Sequence, residues 1–397
     1  MHLCFSVTRF PEPSQTFVLA QVLYAVRAGH RVTLASTEFD ADAPLSDEAQ
    51  ATLAQVRIVR WPPPPPALAD LLPTGLKDRI IARRARDLWR REIAVDAVIA
   101  HFGYRGAAIA RAQRGWPGRA PLLTVFHGRD VSVEYARNQM AKYRDLFRDG
   151  DLFLPVNAQF ADQLVQCGAP GAQVRTHYLG IPVAAYPFAP KAPQRPLRLV
   201  TICRLVEKKG IDVAIRALAL LSRRAPQLDW RYDIGGDGPL AASLQAAVAE
   251  AGLSGRVRFL GPLPHSETLR RISEADAMLV PSVTARDGDQ EGIPVTLMEA
   301  MALGTPVCTT RHSGIPELVT HGETGLLADS HDAAALCDNV LAVAQRPDPV
   351  SALAHAARRK VERAFNEETQ NAALLTMCQS LSKERDRQSW PRERRTS

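Results

Sequence analysis

Two glutamates eight positions apart, Glu291 and Glu299, close the run Glu-Gly-Ile-Pro-Val-Thr-Leu-Met-Glu. Pro294 is favoured in a first helical turn, so Glu291 falls in a loop and Glu299 about one and a half turns into a helix. A helix N-terminus offers unpaired N–H groups and partial positive charge, which suit phosphate or sugar oxygens. Two carboxylates so placed can hold a polyhydroxylated ligand at two points. A second cluster, Arg204-Leu-Val-Glu-Lys-Lys209-Gly210, combines a guanidinium fork with a lysine point charge, a pairing suited to phosphate. Gly235-Gly-Asp-Gly-Pro239 supplies a tight turn with backbone N–H groups, though not the G-x-G-x-x-G fingerprint. In the first half, Phe126-His127-Gly-Arg-Asp130 and Ala100-His101-Phe-Gly103 each place a histidine at the end of an apolar run. Asp40-Ala-Asp42 and Asp287-Gly-Asp289 both read D-x-D and raise the question of a divalent metal. The plainer readings are a capped helix, a solvated basic turn and structural histidines.

The elements that must carry these residues alternate. Short apolar runs predict strands at 3–7, 31–35, 55–59, 97–101, 122–126 and 152–156, then at 198–202, 229–234, 257–260, 277–281, 306–309 and 325–328. Helical patterns predict helices at 15–28, 105–114 and 158–167, then at 211–223, 239–251, 266–275, 294–303, 315–320 and 331–346. Such alternation gives parallel sheets flanked by helices, twice over. A last strand of the first half is expected near 176–179. The chemically loaded residues fall just after strands, where open parallel sheets bind ligands. At 397 residues, two cores are expected rather than one. The division reads as a first domain over 1–180, a Pro- and Ala-rich linker over 181–196, a second domain over 197–365, and 366–397 as a helix packing back on the first domain with a charged tail fraying from about 382.

The run from Glu291 to Glu299 resembles the E-x7-E motif of retaining family 4 glycosyltransferases, which have the GT-B fold of two Rossmann-like α/β domains facing across a cleft. That resemblance implies that Glu299 binds the ribose of a nucleoside diphosphate sugar and Glu291 the transferred sugar. It implies that Arg204 and Lys209 grip the diphosphate, where fixed cations stabilise the charge of the leaving group. Many relatives have glycine before that arginine; here Cys203 stands there, a change expected to act on packing. Gly236, Leu260 in Arg258-Phe-Leu-Gly261, Asp289, and the backbone around Gly292, Ile293 and Pro294 complete the implied donor pocket. Ser313-Gly-Ile-Pro-Glu317 and Gly322-Glu-Thr-Gly-Leu-Leu327 follow in the family's order, so the likeness is dense over about 198–346. In the first half, Phe126–Asp130 matches F-H-G-x-D, which implies that His127 lies near the reacting sugar. Phe10-Pro-Glu-Pro-Ser-Gln-Thr-Phe17 resembles the opening of exopolysaccharide-type members. Ser14 is expected to cap the following helix, and Thr16, His101 and Asp130 are acceptor-side candidates.

The implied reaction moves a hexose-type sugar, with retention, to a saccharide acceptor that is lipid-linked, and closes the domains about the linker. No carboxylate stands out as a covalent nucleophile, so a same-face displacement with the leaving phosphate as base is favoured. Arg204 and Lys209 take the place of a metal, so neither metal nor cofactor is expected. Two segments, Lys77–Glu92 at +4 and Lys383–Arg395 at +3, account for the whole net charge of +7. The first places Ile81, Ala85, Leu88 and Trp89 on one helix face flanked by arginines. That face predicts either docking of 77–91 on an anionic membrane or packing on the first domain's core. Six scattered cysteines without C-x-x-C argue for a reducing compartment and against structural zinc. No signal peptide or membrane span is evident, so a cytoplasmic chain, peripheral at the membrane's inner face, is expected. Rivals are a nucleotide-sugar epimerase of the same build, a dinucleotide oxidoreductase, which would need a glycine fingerprint after the first strand, and a non-catalytic nucleotide-binding module. Nucleic-acid binding would rest on charge alone and is not expected.

Overall fold

The computed structural model describes residues 1–12, 15–62, 74–190, 192–345 and 347–389. They form two compact units, Met1–His177 with the chain from Glu368 onward, and Tyr178–Glu367.

The first unit is a six-stranded parallel sheet in the order β3-β2-β1-β4-β5-β6, made of β1 (His2–Phe10), β2 (Arg31–Phe39), β3 (Arg57–Arg60), β4 (Ala97–His101), β5 (Leu122–Phe126) and β6 (Leu152–Pro155). Its helices are α1 (Thr16–Arg27), α2 (Asp47–Leu53), α3 (Thr74–Glu92), α4 (Gly103–Gln113), α5 (Arg129–Asn138), α6 (Arg144–Asp149) and α7 (Ala158–Gln166). The runs Ala-Val-Ile-Ala-His and Leu-Leu-Thr-Val-Phe are buried at every position, as strands covered on both faces must be.

The second unit repeats the topology in the order β12-β11-β10-β7-β8-β9. Its strands are β7 (Leu197–Ile202), β8 (Trp230–Gly235), β9 (Val257–Gly261), β10 (Ala277–Val280), β11 (Val307–Thr310) and β12 (Leu326–Ala328). Its helices are α8 (Ile211–Arg224), α9 (Ala241–Glu250), α10 (His265–Glu274), α11 (Val295–Leu303), α12 (Ile315–Leu318), α13 (Ala333–Gln345) and α14 (Pro347–Ala364), and α15 (Glu367–Ser389) carries the chain back. Strand order reverses between β1 and β4 and between β7 and β10, which leaves a crevice at the carboxyl ends of each pair.

Each apolar run read as a strand is a strand, except the one expected at 176–179; ten match within two residues, while β1 and β2 run three and four residues further than expected, to Phe10 and Phe39. Near 176–179 the chain runs beside β6 only as an isolated bridge of Val174 with Phe153, the Arg175 and His177 N–H groups donating to the Phe153 and Pro155 carbonyls, and then leaves the first unit. The short helices α2, α5 and α6 carry too few apolar repeats to show a 3.6-residue period, and the sequence reading passed over them. The stretch 181–196 begins as core rather than linker. Ile181, Val183 and Tyr186 are buried in the second unit, and Arg358 donates to the Val183 and Tyr186 carbonyls. The tail also differs, because α15 stays helical to Ser389 and Arg385 donates to the Arg119 carbonyl and to Asp151. The residues beyond, Ser14 and Pro63–Pro66 lie outside the described residues.

The apolar face of α3 packs inward. Trp89 is fully buried, Trp61 meets it edge-on at 4.8 Å, and the Trp61 indole N–H donates to the Ala85 carbonyl at 2.8 Å. Behind this seam lies Arg105, 4% exposed, donating to Ser6 Oγ and to the Ala35 and Trp61 carbonyls with its guanidinium over the Trp61 ring. Burial pulls its guanidinium down to about 10, so it stays a cation at neutral pH. Removing it takes the side-chain donor from the Trp61 carbonyl, just after β3, and one of two from the Ala35 carbonyl inside β2. Arg105→Met is therefore expected to destabilise the first unit by about 3 kcal/mol in urea unfolding followed by tryptophan fluorescence. A loss under about 0.5 kcal/mol would mean that water satisfies those carbonyls.

Candidate functional site

In the second unit, the turn after β7 and the loop after β10 are held together at the reversal of strand order. Gly210 has φ +62°, and a Cβ there would lie 1.9 Å from the Pro281 carbonyl oxygen, so only glycine lets the turn sit against the end of β10. The Val283 N–H then donates to the Lys208 carbonyl at 2.9 Å. Two lysines cross the gap: Lys209 Nζ lies 2.7 Å from Glu291 Oε1, and Lys208 Nζ lies 3.1 Å from Asp289 Oδ1. Glu291 is 7% exposed. Burial alone would raise its carboxyl, but Lys209 and Lys208 outweigh burial and hold it below the usual carboxylate range. Burial would likewise lower Lys209, yet Glu291 and then Cys203 keep the ammonium above its ordinary value. Arg204 is exposed on the same turn, and Cys203 packs on the core with its thiol lifted by burial to about 11.

Glu299 is 5% exposed on α11, an otherwise apolar helix buried from Leu297 to Leu303. His265 Nε2 lies 2.9 Å from its Oε1, and the Tyr186 hydroxyl donates to the same oxygen at 3.4 Å. The hydrogen bond to Glu299 raises His265 above its ordinary value against the opposing effect of burial. His312, just after β11, accepts the Glu291 N–H at Nε2 across 3.3 Å, and burial lowers it to about 4. Pro294 is the residue before the first turn of α11, Ile293 packs in the core, and Gly292 is buried beside them. Leu260 is half-buried in β9. Gly236 departs from expectation: its N–H, read as a ligand donor, is spent on the Gly261 carbonyl at 2.7 Å, where β8 and β9 slip register. Three of the four D-x-D carboxylates have partners within the chain. Asp287 accepts the Asp289 N–H, Asp289 is paired with Lys208, and Asp40 accepts the Asp42 N–H.

In the first unit, the histidines of β4 and of the loop after β5 meet. His101 Nδ1 lies 3.1 Å from His127 Nε2, and Phe17 stacks on the His127 ring at 4.5 Å. Asp130 fixes the backbone around them by accepting the Gly103, His127 and Gly128 N–H groups, although burial still pushes its carboxyl up. Gly103 is required because a Cβ would fall 2.4 Å from the Phe126 ring. Burial lowers His101 to about 3, His177 to about 4, and His127 well below its ordinary value. Two acceptor-side expectations change. His101 is 0% exposed behind His127, and Asp130 at 7% is spent on backbone. Thr16 is exposed at the start of α1, where its neighbour Phe17 makes the histidine contact.

Lys208, His265, His312, Tyr186 and His177 escaped the sequence reading. His312 follows a strand and was open to the strand-end rule applied elsewhere. Lys208 is one of an adjacent pair whose roles only the fold separates.

Two family models cover the chain: Glycosyltransferase Family 4 over residues 14–185 and Glycosyl transferases group 1 over 184–360. The chain is 33% identical to the amylovoran biosynthesis glycosyltransferase AmsK of Erwinia amylovora, across 96% of this chain and 100% of that one. It is equally similar to WcaL of Escherichia coli K12, named for colanic acid biosynthesis, over the same shares. The chain belongs to the family 4 glycosyltransferases. Its fold is GT-B: the Anabaena Alr3699/HepE structure with UDP-glucose superposes with a TM-score of 0.73 at 18% identity, covering 96% of this chain and 100% of that one.

The His265–Glu299 contact yields a pH test. A group whose pKa is raised by folding stabilises the native state below its unfolded value, near 6.5, and loses that contribution as pH rises through its folded value. His265 should therefore titrate above 6.5 by proton NMR and fall back toward that value in Glu299→Gln. An unchanged midpoint in the variant would mean that the pair is not formed in solution.

Proposed function

We propose that this glycosyltransferase takes a hexose-type sugar from a nucleoside diphosphate and passes it, with retention, to a saccharide acceptor in exopolysaccharide assembly. The observation that carries this reading is the second unit's cluster, in which Glu291 and Glu299 stand eight residues apart, each buried and each held by a cation or imidazole. Glu299 would bind the ribose hydroxyls, and the His265 contact shows that its carboxylate accepts hydrogen bonds in this setting. Glu291 would bind the sugar. Lys209 and Arg204 would hold the diphosphate, and the ion pair that keeps Lys209 charged also orients it. With cations already built into the turn, the reaction would need no metal. The leaving phosphate would then serve as the base for the acceptor hydroxyl on the same face.

The biological setting leans on relatives named for colanic acid and amylovoran biosynthesis. A UDP- or GDP-sugar donor leans on the family and on the fold neighbour solved with UDP-glucose. Among the described residues no helix is long and apolar enough to cross a membrane. A lipid-linked acceptor would instead be met through the exposed arginines of α3, among them Arg83, Arg84 and Arg90. Because Ala85 and Trp89 are committed to the core, this contact would be electrostatic and salt-sensitive rather than an insertion.

Calorimetry with UDP, GDP and their sugars tests the donor site. One nucleotide should bind in the presence of EDTA, and Glu299→Ala should weaken it about 10- to 100-fold, as expected for a hydrogen bond to a charged group. Binding of none of them by the folded wild type would overturn the reading.

A further inference from the structure

We propose that Tyr104 is a stacking platform for a pyranose ring of the acceptor, set at the crevice where β1 and β4 become neighbours. The inference deepens the reading of a saccharide acceptor and rests on it. In a doubly wound sheet, ligands settle beyond the carboxyl ends of the two strands at which the order reverses. In the first unit those ends carry Thr8 and Arg9 on β1, and Phe102, Gly103 and Tyr104 directly after β4. Thr8 and Arg9 are exposed, and Tyr104 keeps 42% of its surface open. The other exposed large apolar side chains among the described residues lie elsewhere. Phe39 ends β2 stacked on Phe10, Ile58 sits in the edge strand β3, and Val165 is on α7.

The Tyr104 ring is held in place. It stacks within 9° of the Phe102 ring at 5.5 Å, Phe102 packs on His127 at 4.7 Å, and Phe17 stacks on His127 at 4.5 Å. Three half-buried rings thus end on an exposed fourth. The backbone of Phe102 is strained, with φ +74° and ψ 137°, a conformation that a bulky side chain rarely adopts. It persists because the chain is pinned on both sides. The Phe102 N–H donates to the Val125 carbonyl, the Gly103 N–H to Asp130, and the Phe102 carbonyl accepts from Arg105 and Gly106 to open α4. Strain fixed so firmly gathers at ligand sites.

The surroundings of the ring suit a sugar. A pyranose has a face of C–H bonds, which the negative face of an aromatic ring attracts, and a rim of hydroxyls that need partners. Tyr104 offers the ring face, and its hydroxyl meets Thr8 Oγ1 at 3.3 Å. Burial raises its phenol above the ordinary value, so the hydroxyl keeps its proton at neutral pH. Arg9, on the same strand end, has a side chain 53% exposed and stands 3.7 Å from both Glu12 and Asp40. An acyl chain would instead need a continuous apolar surface, which Thr8 and Arg9 interrupt.

Tyrosine-selective 13C labelling of the full chain, with Tyr104 assigned through Tyr104→Phe, reads the platform directly by NMR. The probes are the methyl glycosides of glucose, galactose, mannose, fucose and glucuronic acid, each at up to about 50 mM, enough to fill a millimolar site. At least one should move the Tyr104 ring signals while the other tyrosines stay put. Tyr104→Ala should weaken its binding about tenfold and Tyr104→Phe less than about threefold, because the ring face carries the contact. Val165→Ala, at an exposed apolar site away from the crevice, should leave it unchanged. No movement of Tyr104 with any glycoside, or equal binding by Tyr104→Ala, overturns the proposal. So does a shift produced by UDP and by none of the glycosides, which would make the ring a nucleotide platform. Glycoside binding at Tyr104 in a protein that binds no nucleotide would sink the donor reading and leave the platform standing. Nucleotide binding without any glycoside at Tyr104 would do the reverse.

Discussion

The residues able to do chemistry are hung from the carboxyl ends of parallel strands, and which strands are neighbours in the sheet decides which of them meet. Within a doubly wound sheet, consecutive strands are joined by helices that cover the faces, so the free ends are the accessible edge. Where β7 and β10 become neighbours, their two loops leave in opposite directions and can reach toward each other. Lys208 and Lys209 on one loop then find Asp289 and Glu291 on the other. The repeat in the first unit puts His101 at the end of β4, next to the strand whose following loop carries His127.

The two units solve the problem of buried polar groups in opposite ways. In the second, charges are kept by pairing. An isolated carboxylate as enclosed as Glu291 would take up a proton, and an isolated ammonium as enclosed as Lys209 would lose one. Each instead stabilises the charged form of the other. The pair thus stays ionised and would offer a diphosphate a fixed cation rather than a mobile side chain. In the first unit the Asp130 carboxylate is spent on backbone N–H groups, and burial drives the three imidazoles toward the neutral form.

The basic helix α3 shows how one sequence pattern divides between two uses. Its apolar stripe closes the seam with Trp61, and its arginines remain outside. Arg105 completes that seam from below, its charge met by carbonyl oxygens and an aromatic face.

The sequence by itself determined the alternation of strand and helix, because continuous apolar runs between helical periods have few other solutions. It also determined the chemical character of the Glu291–Glu299 and Arg204–Lys209 segments, because residue type and local spacing are linear properties. Boundaries held at Ala97–His101 and Leu122–Phe126, where every position is apolar or buried, and fell short in β1 and β2, whose later residues are partly exposed. They failed where chain passage mattered more than period, as at 176–186 and along α15. Only the tertiary structure decided which lysine faces which carboxylate, since adjacent residues leave a short turn in different directions. Only it decided that His265 joins Glu299, that His101 stands behind His127, and that the Gly236 N–H is already taken. Those outcomes depend on register between strands far apart in the chain, and local spacing carries no record of register.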